Sequence, residues 1–168
     1  MVTSIYPIEG IALGTGGPMA AGSLGALVST LVGGAPYVAQ KTLTFAATPV
    51  SAVPLFTVTG AVLFSLTAIC LTELTPAVGG ATVSVGTAAA VAGLIAVTTA
   101  ADIDTGEIWF AAAPATKLNT AAIGQLSWII GDGADIQLDV AVQAITSGVI
   151  AFTAFWQPLS AGATLAAV

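Results

Sequence analysis

The chain predicts an all-β fold, an antiparallel β-sandwich that is jelly-roll-like in strand number, with about eight or nine short strands. Three observations carry that prediction. Short runs of alternating polar and apolar residues recur from residue 41 onward. Gly, Pro and Asp turn signals separate the runs at intervals of about 8–14 residues, too close for strands alternating with crossover helices. The runs are filled by Val, Thr, Ile and Phe, and no long stretch keeps a helical period.

Residues 42–45 set Thr42 and Thr44 against Leu43 and Phe45, and Pro49 stops the run. Pro54 opens a second strand over 55–59, and Gly60 separates it from a long apolar run at 61–72. That run places Val62, Phe64, Leu66 and Cys70 on one side and Leu63 and Ile69 on the other, so both faces are expected to be buried. Pro76, Gly79 and Gly80 mark the next turn, and residues 82–85 alternate again up to Gly86. Ala-rich pieces at 87–92 or 111–122 could each form a helical turn or a short helix. Residues 94–97 precede a polar loop at 102–106 and then Ile108, Trp109 and Phe110. A looser stretch holds Pro114 and Lys117, after which 127–130 lead into the turn Gly131, Asp132, Gly133. The clearest strand is 135–140, whose period of two directs Ile136, Leu138, Val140 and Val142 inward. Gly148 starts the last strand, 149–157, and Pro158 closes it.

Residues 1–40 follow a different grammar. Eight glycines together with Pro7, Pro18 and Pro36 break any long periodic element there. The expected organisation is an extended Gly-rich N-terminal arm over 1–40, lying on adjacent proteins, and a β-sandwich domain over 41–168. Ordering such an arm costs about 1–2 kcal/mol per residue, which contacts with neighbours would have to offset.

Composition limits what can cover this sandwich. Charged residues make up 6% of the chain against 57% apolar ones, whereas roughly 25% charged is ordinary for a soluble domain. Mean hydropathy is +1.03. The outer surface therefore calls for lipid, copies of the chain, or partner subunits. Lipid fits poorly. The apolar run at 61–74 contains Ser65, Thr67, Thr72 and Glu73 and falls short of the roughly twenty residues of a helical span. The uncharged stretch at 77–101 is interrupted by four glycines and has no basic flank. A membrane barrel needs a polar lumen that so uncharged a chain does not supply. No secretory signal is expected, because no basic region precedes an apolar core and Pro7, Glu9 and Pro18 interrupt the start. Eight carboxylates against Lys41 and Lys117 give a net charge of −6, which argues against binding nucleic acid.

Chemistry is hard to build from these residues. With no His there is no Ser–His or Cys–His pair and no imidazole for zinc, and neither lysine sits in a motif that would activate a nucleophile. Asp102, Asp104 and Glu107 around Gly106 form the densest acidic cluster and the one candidate cation site. Three side chains fall short of the six to eight oxygens Ca²⁺ takes, and the plainer reading is a hydrated loop whose carboxylates cap turn amides. Asp132, Asp135 and Asp139 read as a turn and a solvated strand face rather than as a glycosidase pair. Gly14, Thr15, Gly16 and Gly17 suggest a phosphate loop, but no Lys follows. The single Cys70 rules out an intrachain disulfide and reads as a small buried hydrophobe. Trp109, Trp128 and Trp156, with Phe152 and Phe155, could line a sugar site but are more simply core or subunit-interface anchors. No catalytic residue, cofactor or resident metal is expected.

Four segments carry a resemblance. They are Leu55-Phe56-Thr57-Val58-Thr59-Gly60, then Thr99-Ala100-Ala101-Asp102-Ile103-Asp104-Thr105-Gly106-Glu107-Ile108-Trp109. The third is Ile129-Ile130-Gly131-Asp132-Gly133-Ala134-Asp135-Ile136, and the fourth runs from Gly148-Val149-Ile150 through Phe155-Trp156-Gln157-Pro158-Leu159-Ser160. The order from Val53 to the C-terminus resembles small capsid-associated proteins encoded by tailed bacteriophages and prophages, over roughly two-thirds of the chain. The resemblance implies a β-sandwich that commonly trimerises and sits outside the major capsid shell as cement or decoration. It departs in its scarcity of charge and in its long Gly-rich arm, which leave a tail or fibre location open. The expected function is therefore a non-enzymatic virion subunit on the capsid exterior, homotrimeric and bound to the major capsid protein, with no nucleic-acid or membrane partner. Its interface anchors would be Trp109, Phe155 and Trp156. Two other classes stay in view: a fibre, spike or tail head module binding a host receptor, and a surface-layer or outer-membrane component.

Overall fold

The computed structural model describes residues 36–78, 80–110 and 127–168. Ten strands lie within these residues: β1 Tyr37–Thr48, β2 Ser51–Thr59, β3 Val62–Pro76, β4 Thr82–Thr87, β5 Ala90–Thr99, β6 Ile108–Trp109, β7 Trp128–Ile130, β8 Ile136–Ala141, β9 Ile145–Pro158 and β10 Thr164–Ala167. Most of the N-terminal arm expected from the sequence, and the Ala-rich piece at 111–122, lie outside the described residues. Residues 37–40 form the start of β1.

The strands form two antiparallel sheets. The front sheet runs β1-β9-β3, with β6 and β7 both pairing to the far side of β3, and the back sheet runs β10-β2-β8-β4-β5. The pairs β1:β9, β2:β8, β3:β6/β7 and β4:β5 are nested in sequence, as in one long hairpin folded back into two layers. The antiparallel β-sandwich is the architecture the sequence predicts, and β10 adds one strand beyond β2.

Alternation along each strand builds a single core. Phe64, Leu66, Ala68 and Cys70 of β3 point inward beside Ile150, Phe152 and Ala154 of β9. They meet Leu55, Phe56, Val58, Val83, Val85, Ile136, Leu138 and Val140 of the back sheet. Phe64 bridges the layers, with its ring 6.4 Å from Phe56 across the sandwich and 6.3 Å from Trp128 of β7. Nearly every inward row is aliphatic or aromatic, so burial and strand pairing reinforce each other here.

The structure corrects several expectations. Only one face of β3 is sealed within the chain; the other, with Leu63, Ser65, Thr67 and Ile69, is partly or fully exposed. Pro54 lies inside β2 at a register shift against β8, where its missing N–H is tolerated, rather than at the strand's start. Residues 87–92 form a strand–turn–strand connection between β4 and β5, not a helical turn, because Ala90 pairs with Thr87. Val142 is 66% exposed instead of inward. Its φ of 68° and the Gln143 N–H to Ala141 C=O bond of 2.8 Å place it at the centre of a tight turn that breaks the alternation. The strand expected to start at Gly148 begins at Ile145, and β10 was not anticipated.

Gly148 is fixed by close approach. Its φ is +135°, and a Cβ there would lie 2.8 Å from the Glu73 carbonyl oxygen and 3.0 Å from Leu74 Cα. Gly131, by contrast, faces open space. Gly148→Ala should therefore lower stability by about 2–4 kcal/mol, combining backbone strain with overpacking. Gly131→Ala should stay within about 0.5 kcal/mol of the parent. Denaturant melts of the two variants check this.

Candidate interaction surfaces

The acidic loop follows β5. A 3-10 turn at Ala100–Asp102 opens it, and the Gly106 N–H donates to the Cys70 carbonyl at 2.8 Å while the Cys70 N–H donates to the Glu107 carbonyl at 2.9 Å. The Glu107 carboxylate is buried and accepts the Asp104 N–H at 3.0 Å. Asp102 and Asp104 stay exposed. The loop thus uses Glu107 to cap its own turn, and among the described residues no three acidic or thiol side chains are gathered as cation ligands.

The second acidic group also works locally. Asp132 Oδ1 accepts the Gly60 N–H at 2.7 Å, and Asp135 Oδ1 accepts the Val58 N–H at 2.8 Å. Ser160 Oγ accepts the neighbouring Ala61 N–H at 2.9 Å. Three connections, β2–β3, β7–β8 and β9–β10, are therefore tied together at one end of the sandwich. Asp139 and Gln137 lie half-buried on the outer face of the back sheet, in the polar row the sequence predicts.

The three proposed anchors separate. Trp109 is completely buried, and its Nε1–H donates to Thr98 Oγ1 at 2.9 Å. It belongs to the core of its own chain, which corrects its expected place as a surface anchor. β6 directs it inward opposite Ala68, and the buried hydroxyl satisfies its one donor. Phe155 and Trp156, adjacent in β9, point to opposite faces. Trp156 packs at the margin of the core and stacks on Tyr37 with ring centroids 4.8 Å apart. Phe155 faces outward and is 40% exposed. A groove of about 390 Å³ runs beside them, lined by Pro36, Leu63, Ser65 and Ser127 among others.

Phe155 belongs to a larger surface. Strand register aligns Val38, Phe155 and Ser65 in one outward row, Gln40, Thr153 and Thr67 in the next, and Thr42, Ala151 and Ile69 in a third. A hydrogen bond from Gln40 Nε2 to Thr153 Oγ1, 3.4 Å long, runs along the middle row. Beyond β3, Ile129 of β7 stands opposite Leu63 and is 73% exposed. No side chain in these rows carries a charge. Lys41 sits in β1 opposite Phe152, so its row is the inward one, and its Nζ donates to the Val168 carbonyl oxygen. Sequence reading missed this surface, because it becomes visible only when the alternate residues of three separate segments are brought into register.

The fold has a counterpart. A chain of the cyanophage Pam1 capsid asymmetric unit superposes with a TM-score of 0.51 and 21% identity, over 73% of this chain and 84% of that one. At that identity the likeness speaks to the fold. No protein-family model and no curated protein sequence matches the chain. Among the described residues no helix is long and apolar enough to cross a membrane.

Cys70 offers no reactive thiol. It is buried, and its Sγ lies 3.2 Å from the Thr72 carbonyl oxygen. Burial, aided by the neighbouring charge of Glu107, pushes its pKa up to about 11. The folded chain thus keeps the thiol protonated where the unfolded chain, near 9, ionises it. The resulting stability is fully present below about pH 9 and is lost as pH rises through about 11. A thiol reagent at pH 8 should leave the native chain unlabelled for hours and titrate one thiol after denaturation. The turn ties predict a second result. Asp132→Ala and Asp135→Ala should each lower stability by about 1 kcal/mol through loss of a bond to a backbone N–H, read by chemical denaturation.

Proposed function

We propose that this chain is a non-enzymatic structural subunit of a phage virion, a cement or decoration protein that reinforces the outside of the major capsid shell. The observation that carries this reading is the fold it shares with a chain of a cyanophage capsid unit. Two features of the chain support it. Its surface is too poor in charge to be covered by water alone, and its best candidate reactive groups are spent on its own backbone, as Glu107, Asp132 and Asp135 are.

The mechanism is area and geometry. Copies associate as homotrimers through apolar surface, with Phe155 among the anchors. At about 25 cal/mol per Å² of apolar area, a standard interface of roughly 1,600 Å² gives gross stabilisation of tens of kcal/mol. The lost freedom of association offsets most of it. The remainder recurs at every symmetry-related position, so a modest contact repeated over a shell opposes the internal pressure that would open it.

Shells carrying the protein should release their contents at a temperature several degrees above shells that lack it. Nuclease-accessible DNA, measured along a heating ramp, is the readout. Equal heat resistance with and without the chain would sink the cement reading.

A further inference from the structure

We infer that the outer face of the front sheet is where copies of this chain meet. The inference rests on the reading of the chain as a self-associating virion subunit and narrows it to one surface. Its starting point is where the charges lie. Asp132, Asp135 and Asp139 belong to the back sheet and the turn leading into it, and Asp102, Asp104 and Glu107 occupy the loop after β5. Glu73 lies past the register shift in β3 beside that loop, its N–H bonded to Thr105 Oγ1. Lys41 is in an inward row. The rows from Leu63 to Ile69 and their partners in β1, β9 and β7 hold none.

A chain with net charge −6 repels its own copies, and like charges brought together across a contact oppose binding. Two copies approach at least electrostatic cost where neither presents a carboxylate. The same face presents the apolar groups that gain from burial: Val38 and Ile129 are 54% and 73% exposed, with Phe155 and Ile69 between them. Three strands about 4.8 Å apart, each contributing some seven residues at about 3.4 Å, with the three residues of β7 beside them, span on the order of 400 Å² before side-chain relief. That is about half of the roughly 800 Å² one partner brings to a standard interface.

The polar groups on the face select the occupant. Gln40, Thr67 and Thr153 lie in its middle row, and beyond the one Gln40–Thr153 bond lipid would offer their remaining amide and hydroxyl groups no partner. A second copy brings the same donors and acceptors and can pair them. Around a threefold axis the β1 side of one face meets the β7 side of the next, and among the described residues both sides lack charge.

The test is the solution mass of the purified chain by light scattering without detergent. The parent should give about three times 16.3 kDa. Thr153→Asp, at the centre of the face, should fall to the single-chain mass while keeping its circular dichroism and a cooperative melt. Thr57→Asp, on the outer face of the back sheet, should keep the assembled mass. A parent of single-chain mass, or an assembled Thr153→Asp, overturns the inference. Should Thr153→Asp not fold, maleimide labelling decides between Gln40→Cys and Thr57→Cys, both exposed within the chain: slow labelling at 40 with fast labelling at 57 supports the face, and equally fast labelling overturns it. An assembled, Thr153-sensitive chain that fails to protect shells from heat would sink the cement reading and leave this one standing.

Discussion

The ladder between β3 and β9 is the constraint on which the rest of this structure depends. It runs from Val62 opposite Pro158 to Pro76 opposite Ile145, and it is the longest pairing among the described residues. Because side chains alternate with a period of two, its register decides at once which residues enter the core and which face out. A slip of β9 by one position would drive Thr153 and Phe155 inward and expel Phe152 and Trp156. The inward set is large and apolar while the outward set mixes Thr, Ser and Gln with isolated apolar groups, so the slip is costly. β1 docks on the other side of β9 in the register that continues both rows.

Several of the charged residues brace this frame. Asp132 and Asp135 hold the backbone amides of Gly60 and Val58, and Ser160 holds that of Ala61, so the turns at one end are locked to each other. Three of the four sequence segments that carry the capsid-protein resemblance, 55–60, 129–136 and 148–160, come together at these ties. The fourth, 99–109, lies against β3 near Cys70, where Glu107 closes its own loop and Trp109 plugs the core. Those segments thus include Asp132, Asp135, Ser160 and Thr105, whose side chains accept backbone N–H groups of β2, the β2–β3 turn and β3. That gives the resemblance a physical content: it follows the joints of the sandwich, and no reactive group is needed to explain it.

Much of the fold could be read from the sequence because its strands obey local rules. β8 announces itself by Ile136, Leu138 and Val140 alternating with Gln137 and Asp139, and the Gly-Asp-Gly turn before it needs no tertiary help. What local rules could not reach depends on pairing. β3 looks apolar on both sides, and only its neighbours reveal that one side stays uncovered within the chain. β10, four residues of Thr, Leu and Ala, has almost no signal of its own and exists because β2 offers it an edge. Trp109 shows the same limit at a candidate site. A tryptophan beside an acidic loop reads equally well as a surface anchor or as core, and Thr98, eleven positions away, settles it by accepting the indole N–H.

Phe155 and Trp156 show how one strand divides two duties. Trp156 closes the margin of the core against Tyr37, and its neighbour Phe155 stands on the uncharged outer face. Alternation lets the two evolve apart: a change at an outward position of β9 leaves the inward row and the ladder hydrogen bonds in place. In the proposed role, stability within the chain and association between chains would be set by interleaved but separate residues. A subunit that lies between other copies benefits from that separation, since it must be folded before it is covered. The inward rows supply the core of the sandwich, and the outward rows of the front sheet from Leu63 to Ile69 carry no charge.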